Sequence, residues 1–473
     1  MLKAITGTWG GRGGMLGAAT ALLLVASAQA QTPAPAPAGQ TAGASALPTP
    51  HPGGPSGPSA AAISGLHLGV ASCSGSTCHG AVEPVTGSNV AQNEYLIWSL
   101  KDKHRLAYAA LLGERGLRIA HNLGLPDAAN QQICLTCHTD DVPPDQRGRQ
   151  FQLSDGVGCE ACHGAAVGWL GIHLSGAGHQ ANLAAGLYPT EQAMPRAEMC
   201  LSCHLGDSKR SITHQIMGAG HPPLPFELDT YTWIEPAHFV VDKDYLQRKG
   251  RVDDVRIWAI GQARDLVNRM NEILDPKNAP KGFSPELVLF DCQSCHHAMS
   301  QLQWQPGESA GLGPGRLKLY DADAVMLQVV AARVAPDAAK TLHDNVVALH
   351  RATTENWDAV RHGAEQILPA ANAIVAALSR HDFSRDDIKA IAGGLISVTT
   401  SGEGAGYSGA QQATMALQSL VYAMKLLGYA SDEQVKAMGQ GLTGVFEVVA
   451  NDQTYRPDSF VKALKDFEKT IPQ

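Results

Sequence analysis

Five short cysteine pairs dominate what this chain can fold into. Cys134/Cys137/His138, Cys159/Cys162/His163, Cys200/Cys203/His204 and Cys292/Cys295/His296 each read C-x-x-C-H. A looser copy, C-x-x-x-x-C-H, runs from Cys73 to Cys78 and His79. The ten cysteines of the chain are all used in these five pairs. Composition alone would produce about 0.01 copies of C-x-x-C-H in such a chain, so four are not accidental.

C-x-x-C-H is the attachment site of a c-type haem. Thiols three residues apart lie on one face of a helical turn and reach the two vinyl groups of one porphyrin. The histidine that follows supplies the proximal iron ligand. Zinc knuckles also use Cys and His, but they need no His directly after the second Cys. Disulfides fit poorly, because C-x-x-C pairs are usually redox-active. The sequence therefore predicts five covalent haems c, held by Cys73, Cys78, Cys134, Cys137, Cys159, Cys162, Cys200, Cys203, Cys292 and Cys295. The proximal ligands are His79, His138, His163, His204 and His296.

Residues 1–30 read as a signal peptide. Lys3 and Arg12 precede or flank an apolar stretch centred on Leu22, Leu23, Leu24 and Val25, and Ala28-Gln29-Ala30 is a small-residue cleavage signature. About 15 apolar residues are too few for a membrane span. Nothing later is long and apolar enough to cross a bilayer, so the mature chain is expected in the periplasm. Loss of residues 1–30 removes two basic groups and no acid, taking the formal charge from −8 to −10. Each ferric haem adds about −1. An acidic protein of this kind excludes nucleic acid as a partner and suits a redox protein with a basic patch.

Residues 31–63 are rich in Pro, Ala and Gly and carry no charge, the composition of a linker. Residues 64–311 carry every motif, and here the chain is expected to pack irregular loops around haems. Helices are predicted over Asn93–Leu112 and Asp253–Leu274, the latter with Val255, Trp258, Gln262, Leu266, Met270 and Ile273 on one stripe. Gly156-Val157-Gly158 and Gly176-Ala177-Gly178 would let backbone approach a flat ring. Residues 312–473 lack cysteine and read as an α-helical bundle. Helices are expected over Ala322–Ala335, Ala338–Ala352 and Trp357–Leu378, with capped starts at Ser384 and Ser431 and a stop at Gly428. The fold class is thus mostly α. His343, His350, His362 and His381 in this bundle are expected to be surface or satisfied core residues.

The second axial ligand decides what each iron does. A second histidine leaves it able only to pass electrons, whereas an open position lets a small molecule react. Nine spare histidines lie in the motif region: His67, His104, His121, His173, His179, His214, His221, His238 and His297.

The run Gly156 to Gly164, with His173 ten residues after His163, resembles the cytochrome c-554 family of multihaem cytochromes. So does the helix with Lys103-His104-Arg105 after the first motif. The resemblance spans about residues 72–205 and implies that His104 and His173 are distal haem ligands. The chain departs from that family in its looser first motif, its fifth motif and its helical domain. A weaker similarity, to larger multihaem cytochromes with a G-H-P element, implies the same role for His214 and His221.

Three functions compete. The first is a periplasmic electron carrier between a donor and an acceptor protein. The second is an oxidoreductase acting on nitric oxide, hydroxylamine or nitrite. Its reaction would take place at the haem of His138, for which the family supplies no obvious distal histidine, with Asp140, Asp141 and Lys103 as proton donors. The third is a structural subunit docked through its helices. Intact mass after maturation with a haem-attachment system should show five covalent haems. A mass with four would mean that the looser first motif does not bind.

Overall fold

The computed structural model describes residues 65–472, apart from 89, 208, 283, 297–311, 314, 315 and 403. The expected signal peptide, the whole of the linker and His297 lie outside the described residues. Among the described residues the regular structure is helical, with nineteen α-helices, short 3-10 turns and no strand. No described helix is long and apolar enough to cross a membrane.

The helix expected over 93–112 is broken in two, as Glu94–Lys101 and Ala107–Leu112. Asp102 breaks it by turning to an extended conformation (φ −80°, ψ 132°). Its carboxylate accepts the backbone N–H of His104 at 2.9 Å, a local bond that competes with helix continuation. The break redirects the chain and sets His104 on a separate 3-10 turn, His104–Leu106.

The glycine run 156–158 packs against this turn. A Cβ on Gly156 would stand 2.7 Å from the His104 carbonyl, and its φ of +72° also favours glycine. A Cβ on Gly158 would stand 2.5 Å from the Val70 side chain. Val157 N–H donates to the His104 carbonyl at 3.1 Å, and the Trp98 indole donates to the Val157 carbonyl at 3.1 Å. These glycines therefore admit protein neighbours. At Gly176 and Gly178 an added Cβ would meet nothing within 4 Å, and there a positive φ is the reason for glycine.

Asp254–Leu274 is the axis of the molecule. Asp253 caps it through the Arg256 N–H at 3.0 Å. It is buried on more than the expected stripe, since Ile257, Ala259, Ile260 and Ala263 are buried as well. It packs on Ala193–His204, Ala322–Val334, Trp357–Leu378 and Tyr407–Leu426, so little of its surface faces water. One hydrophobic core runs from Ala197 and Leu201 through Trp258 and Leu266 to Phe467. The core crosses the 311/312 position, and the described residues after 64 form one compact unit. The absence of cysteine after residue 312 marks a change of chemistry, with no break in packing.

After 312 the helices are Ala322–Val334, Pro336–Ala352, Trp357–Leu378, Arg385–Thr400, Tyr407–Leu426, Asp432–Val448 and Pro457–Glu468. Ser384 and Ser431 both form complete capping boxes, with Asp387 and Gln434 as their partners. Gly428, at φ +68°, follows the helix ending at Leu426. Before residue 197 the side-chain core is thin. It is a small cluster of Leu111, Ala120, Ala128, Ala129 and Leu135.

Leu266→Ala should therefore cost about 2–5 kcal/mol, the range for deleting a fully buried leucine. Chemical denaturation should show the same loss by far-ultraviolet circular dichroism and by any probe of the cysteine-motif region. Two separate transitions would mean that the shared core does not couple the two regions.

Candidate histidine-paired metal centres

Three motifs sit on short helices: Gln132–His138, Cys159–His163 and the C-terminal end of Ala193–His204. The fifth forms a 3-10 turn, Cys292–Ser294, followed by Cys295 and His296. The first, with its two extra residues, forms turns closed by Cys78 N–H to the Gly75 carbonyl at 2.8 Å and His79 N–H to the Cys73 carbonyl at 3.2 Å.

Motif contacts link distant parts of the chain. The Cys73 thiol interacts electrostatically with Cys159, and Cys203 Sγ donates to the carbonyl of Thr136, inside the second motif, at 3.9 Å. Glu160, inside the third motif, is buried. Its carboxylate accepts the backbone N–H groups of Leu68 at 2.9 Å, Gly69 at 2.7 Å and Ala166 at 2.7 Å. It thereby pins the third motif to the segment that leads into the first.

Each motif histidine faces one further histidine. The ring centroids of His79 and His173 are 6.0 Å apart, with planes inclined 22°. His204 and His104 are 6.1 Å apart at 83°, and His138 and His221 are 6.4 Å apart at 87°. His163 and His238 are 6.1 Å apart at 90°, and His296 and His214 are 6.0 Å apart at 34°. The sequence-predicted residues His104, His173, His214 and His221 are thus all brought to a motif histidine. His238 joins them without having been singled out. It follows the helix Leu228–Ile234 in no motif, and the only signal in the sequence is that it was spare.

The other spare histidines among the described residues are occupied elsewhere. His67 is buried and donates from Nδ1 to Asp140 at 2.7 Å. His179 is bound to Glu191 at 2.8 Å. His121 lies beside Asn122 at 3.4 Å. Asp140 is thus engaged by His67, and Asp141 accepts from the Gln132 amide at 2.7 Å. In the bundle, His343 meets Gln328, His362 meets Glu365 and His381 meets Asp387. His350 is buried beside Asp321 and the Leu319 carbonyl.

Hydrogen bonds orient the facing rings. His138 Nδ1 donates to the Ala107 carbonyl at 2.7 Å, and His221 Nδ1 donates to the Pro222 carbonyl at 2.8 Å. A carbonyl can only accept, so Nδ1 carries the proton and Nε2 keeps its lone pair for a metal. His79 Nδ1 donates to Glu94 at 2.9 Å and His104 Nδ1 to Asp102 at 3.0 Å. Glu235 approaches the same Asp102–His104 pair, with ligand atoms all within 4.8 Å. Burial pushes His163 down to about 3 and His204 down to about 4, so both are neutral imidazoles, the form that binds metal.

Cysteine pairs with adjoining histidines, each faced by another imidazole, are the equipment of a c-type cytochrome. The family described as cytochrome c554 and c-prime matches residues 72–164, which hold the first three motifs and His104. The chain resembles that family over this segment, and the resemblance supports a haem-bearing c-type cytochrome that takes part in electron transfer. No curated protein and no solved structure gave a match.

A carboxylate on Nδ1 makes an imidazole a more basic ligand. Glu94→Gln should therefore raise the midpoint potential of one haem and leave the others in place. Potentiometric titration followed by visible absorption would show it. An unchanged set of midpoints would mean that Glu94 does not act on an iron ligand.

Proposed function

We propose that this chain is an exported pentahaem c-type cytochrome that passes electrons between a donor and an acceptor protein. One observation carries this reading. All five motif histidines face a second histidine at ring separations of 6.0 to 6.4 Å. Two metal–imidazole bonds of roughly 2 Å, plus roughly 1 Å from nitrogen to ring centre on each side, add to about 6 Å. The residues therefore fit five irons, each between two imidazoles. Haem supplies a reversible one-electron couple.

In this reading the cysteines tether the porphyrins, and the histidine pairs are His79/His173, His138/His221, His163/His238, His204/His104 and His296/His214. The pairs close both axial positions and leave no face open to substrate. An enzyme of this kind would need an open face, and the site expected for it, at His138, is faced by His221. The thin side-chain core before residue 197 is consistent with porphyrins filling that volume. The interaction of Cys73 with Cys159 and the bond from Cys203 to the Thr136 carbonyl favour close approach of the first haem to the third and of the second to the fourth.

Export follows from residues 1–30, which we read as a signal peptide directing the chain to the periplasm, with residues 31–63 as a tether. Residues 64–311 then form the haem-bearing part and 312–473 the helical scaffold behind it. A formal charge near −10 before haem suits donors and acceptors with basic faces.

Electron paramagnetic resonance of the oxidised protein should find all five irons low-spin. His238→Ala, or alanine at His104, His173, His214 or His221, should convert one iron in five to high spin while keeping the covalent haem count. Carbon monoxide should leave the reduced wild type nearly unchanged and bind about one iron in five in each variant. Fast binding at one iron in the wild type, with turnover of nitric oxide or hydroxylamine, would replace the carrier with the oxidoreductase.

A further inference from the structure

The imidazole of His204 lies against an aromatic face. Phe226 stacks on it with ring centroids 4.3 Å apart and planes inclined 20°. Tyr231 adjoins both, 4.7 Å from the Phe226 ring and 6.0 Å from His204. The rings of His79, His104, His138 and His221 are instead oriented by bonds at Nδ1, to Glu94, Asp102, Ala107 and Pro222. Some such device is needed, because rotation of a flat ring about its last side-chain bond is soft. Stacking removes that freedom at His204. Turned edge-on, the imidazole would bring an atom roughly 1 Å nearer to Phe226 than its centre is, inside the roughly 3.5–4.0 Å optimum for carbon pairs.

Phe226 is buried and is itself fixed by the helical bundle. Its carbonyl accepts the Gln412 side-chain amide at 2.9 Å, and the Gln412 amide oxygen accepts the Gln262 amide at 3.0 Å. Gln412 belongs to Tyr407–Leu426 and Gln262 to Asp254–Leu274. On the other side of Phe226 in the chain, Glu227 caps the helix Leu228–Ile234 by accepting the N–H groups of Asp229 and Thr230, each at 2.8 Å. A Cβ on Gly261 would stand 2.8 Å from the Leu228 Cβ, so Asp254–Leu274 lies directly against this turn. The face that meets His204 is thus anchored on helices that carry no cysteine motif.

The angle between facing rings divides the five pairs. His204/His104, His138/His221 and His163/His238 lie at 83°, 87° and 90°. His79/His173 and His296/His214 lie at 22° and 34°. An imidazole donates π density perpendicular to its own plane, into one of the two iron dπ orbitals. Near-parallel rings raise the same orbital and split the two apart. Near-perpendicular rings raise one each and leave them almost equal in energy, so the unpaired electron of ferric iron keeps its orbital angular momentum. Groups that orient a ligand ring therefore act on the metal.

We propose that Phe226 is a positioning residue that holds the His204 imidazole across that of His104, giving the iron between them a nearly degenerate pair of dπ orbitals. This rests on the haem ligation proposed above. It also gives the helical bundle a part beyond support. Through Gln412 and Phe226 it sets the electronic state of an iron that it does not ligate.

Low-temperature electron paramagnetic resonance of the oxidised holoprotein should show two classes of low-spin iron. Three irons should give strongly anisotropic signals with a single low-field feature, and two should give ordinary rhombic signals. Phe226→Leu keeps apolar bulk but removes the flat face. It should move one of the three anisotropic signals towards the rhombic set, while all five haems stay covalent and low-spin. Phe226→Tyr keeps the face and should keep the wild-type signal. Gln412→Leu cuts the anchor without touching either ring and should broaden the same signal, a test that stands even if Phe226→Leu fails to mature. The proposal is overturned if the wild type is low-spin throughout with all five irons in one class. It is overturned equally if both leucine variants leave every signal unchanged. A high-spin iron in the wild type would overturn the histidine pairing, and the proposal with it.

Discussion

The meeting of two imidazoles across about 6 Å is the constraint on which the rest of the motif region depends. One ring of each pair comes from a local motif and the other from far along the chain. The separation runs from 75 residues, His163 to His238, to 100 residues, His104 to His204. Loop-closure entropy grows only slowly with such lengths, so long-range pairing costs little more than short-range pairing. It does require that each partner be delivered at a set orientation. The Asp102 break, the Gly156–Gly158 approach and the Nδ1 bonds to Ala107, Pro222, Glu94 and Asp102 serve that end.

The helical half supplies what the motif half lacks. Its core is continuous with Ala193–His204, so the fourth motif stands at the end of a helix whose back is buried. The fifth motif is tied in by a different device. Phe290 bridges to Leu319, and Asp291 N–H donates to the Lys318 carbonyl at 2.8 Å. Just beyond, Arg269 lies 3.1 Å from Asp323, with its guanidinium 3.7 Å over the Tyr320 ring. Buried charge of this kind gains little net stability but penalises any other arrangement of the segment. It fixes where the chain leaves the fifth motif and enters the bundle.

Much of this was legible in the residues themselves. The cysteine spacing named the cofactor chemistry, because two thiols and a histidine on one turn suit one porphyrin. Helix ends were legible wherever a cap is local, as at Ser384, Ser431 and Gly428, since those bonds span only a few residues. Resemblance pointed to His104 and His173, which do face motif histidines. What the tertiary structure alone decided was the pairing. His238 sits in no motif, and its place opposite His163 depends on the path of some seventy-five intervening residues. The same holds for the burial of Asp254–Leu274 on nearly every side and for the core that crosses 311/312. A side chain's spacing states which face it shares with its neighbours in sequence. Which distant element covers that face is set by packing among helices, and no local pattern encodes it.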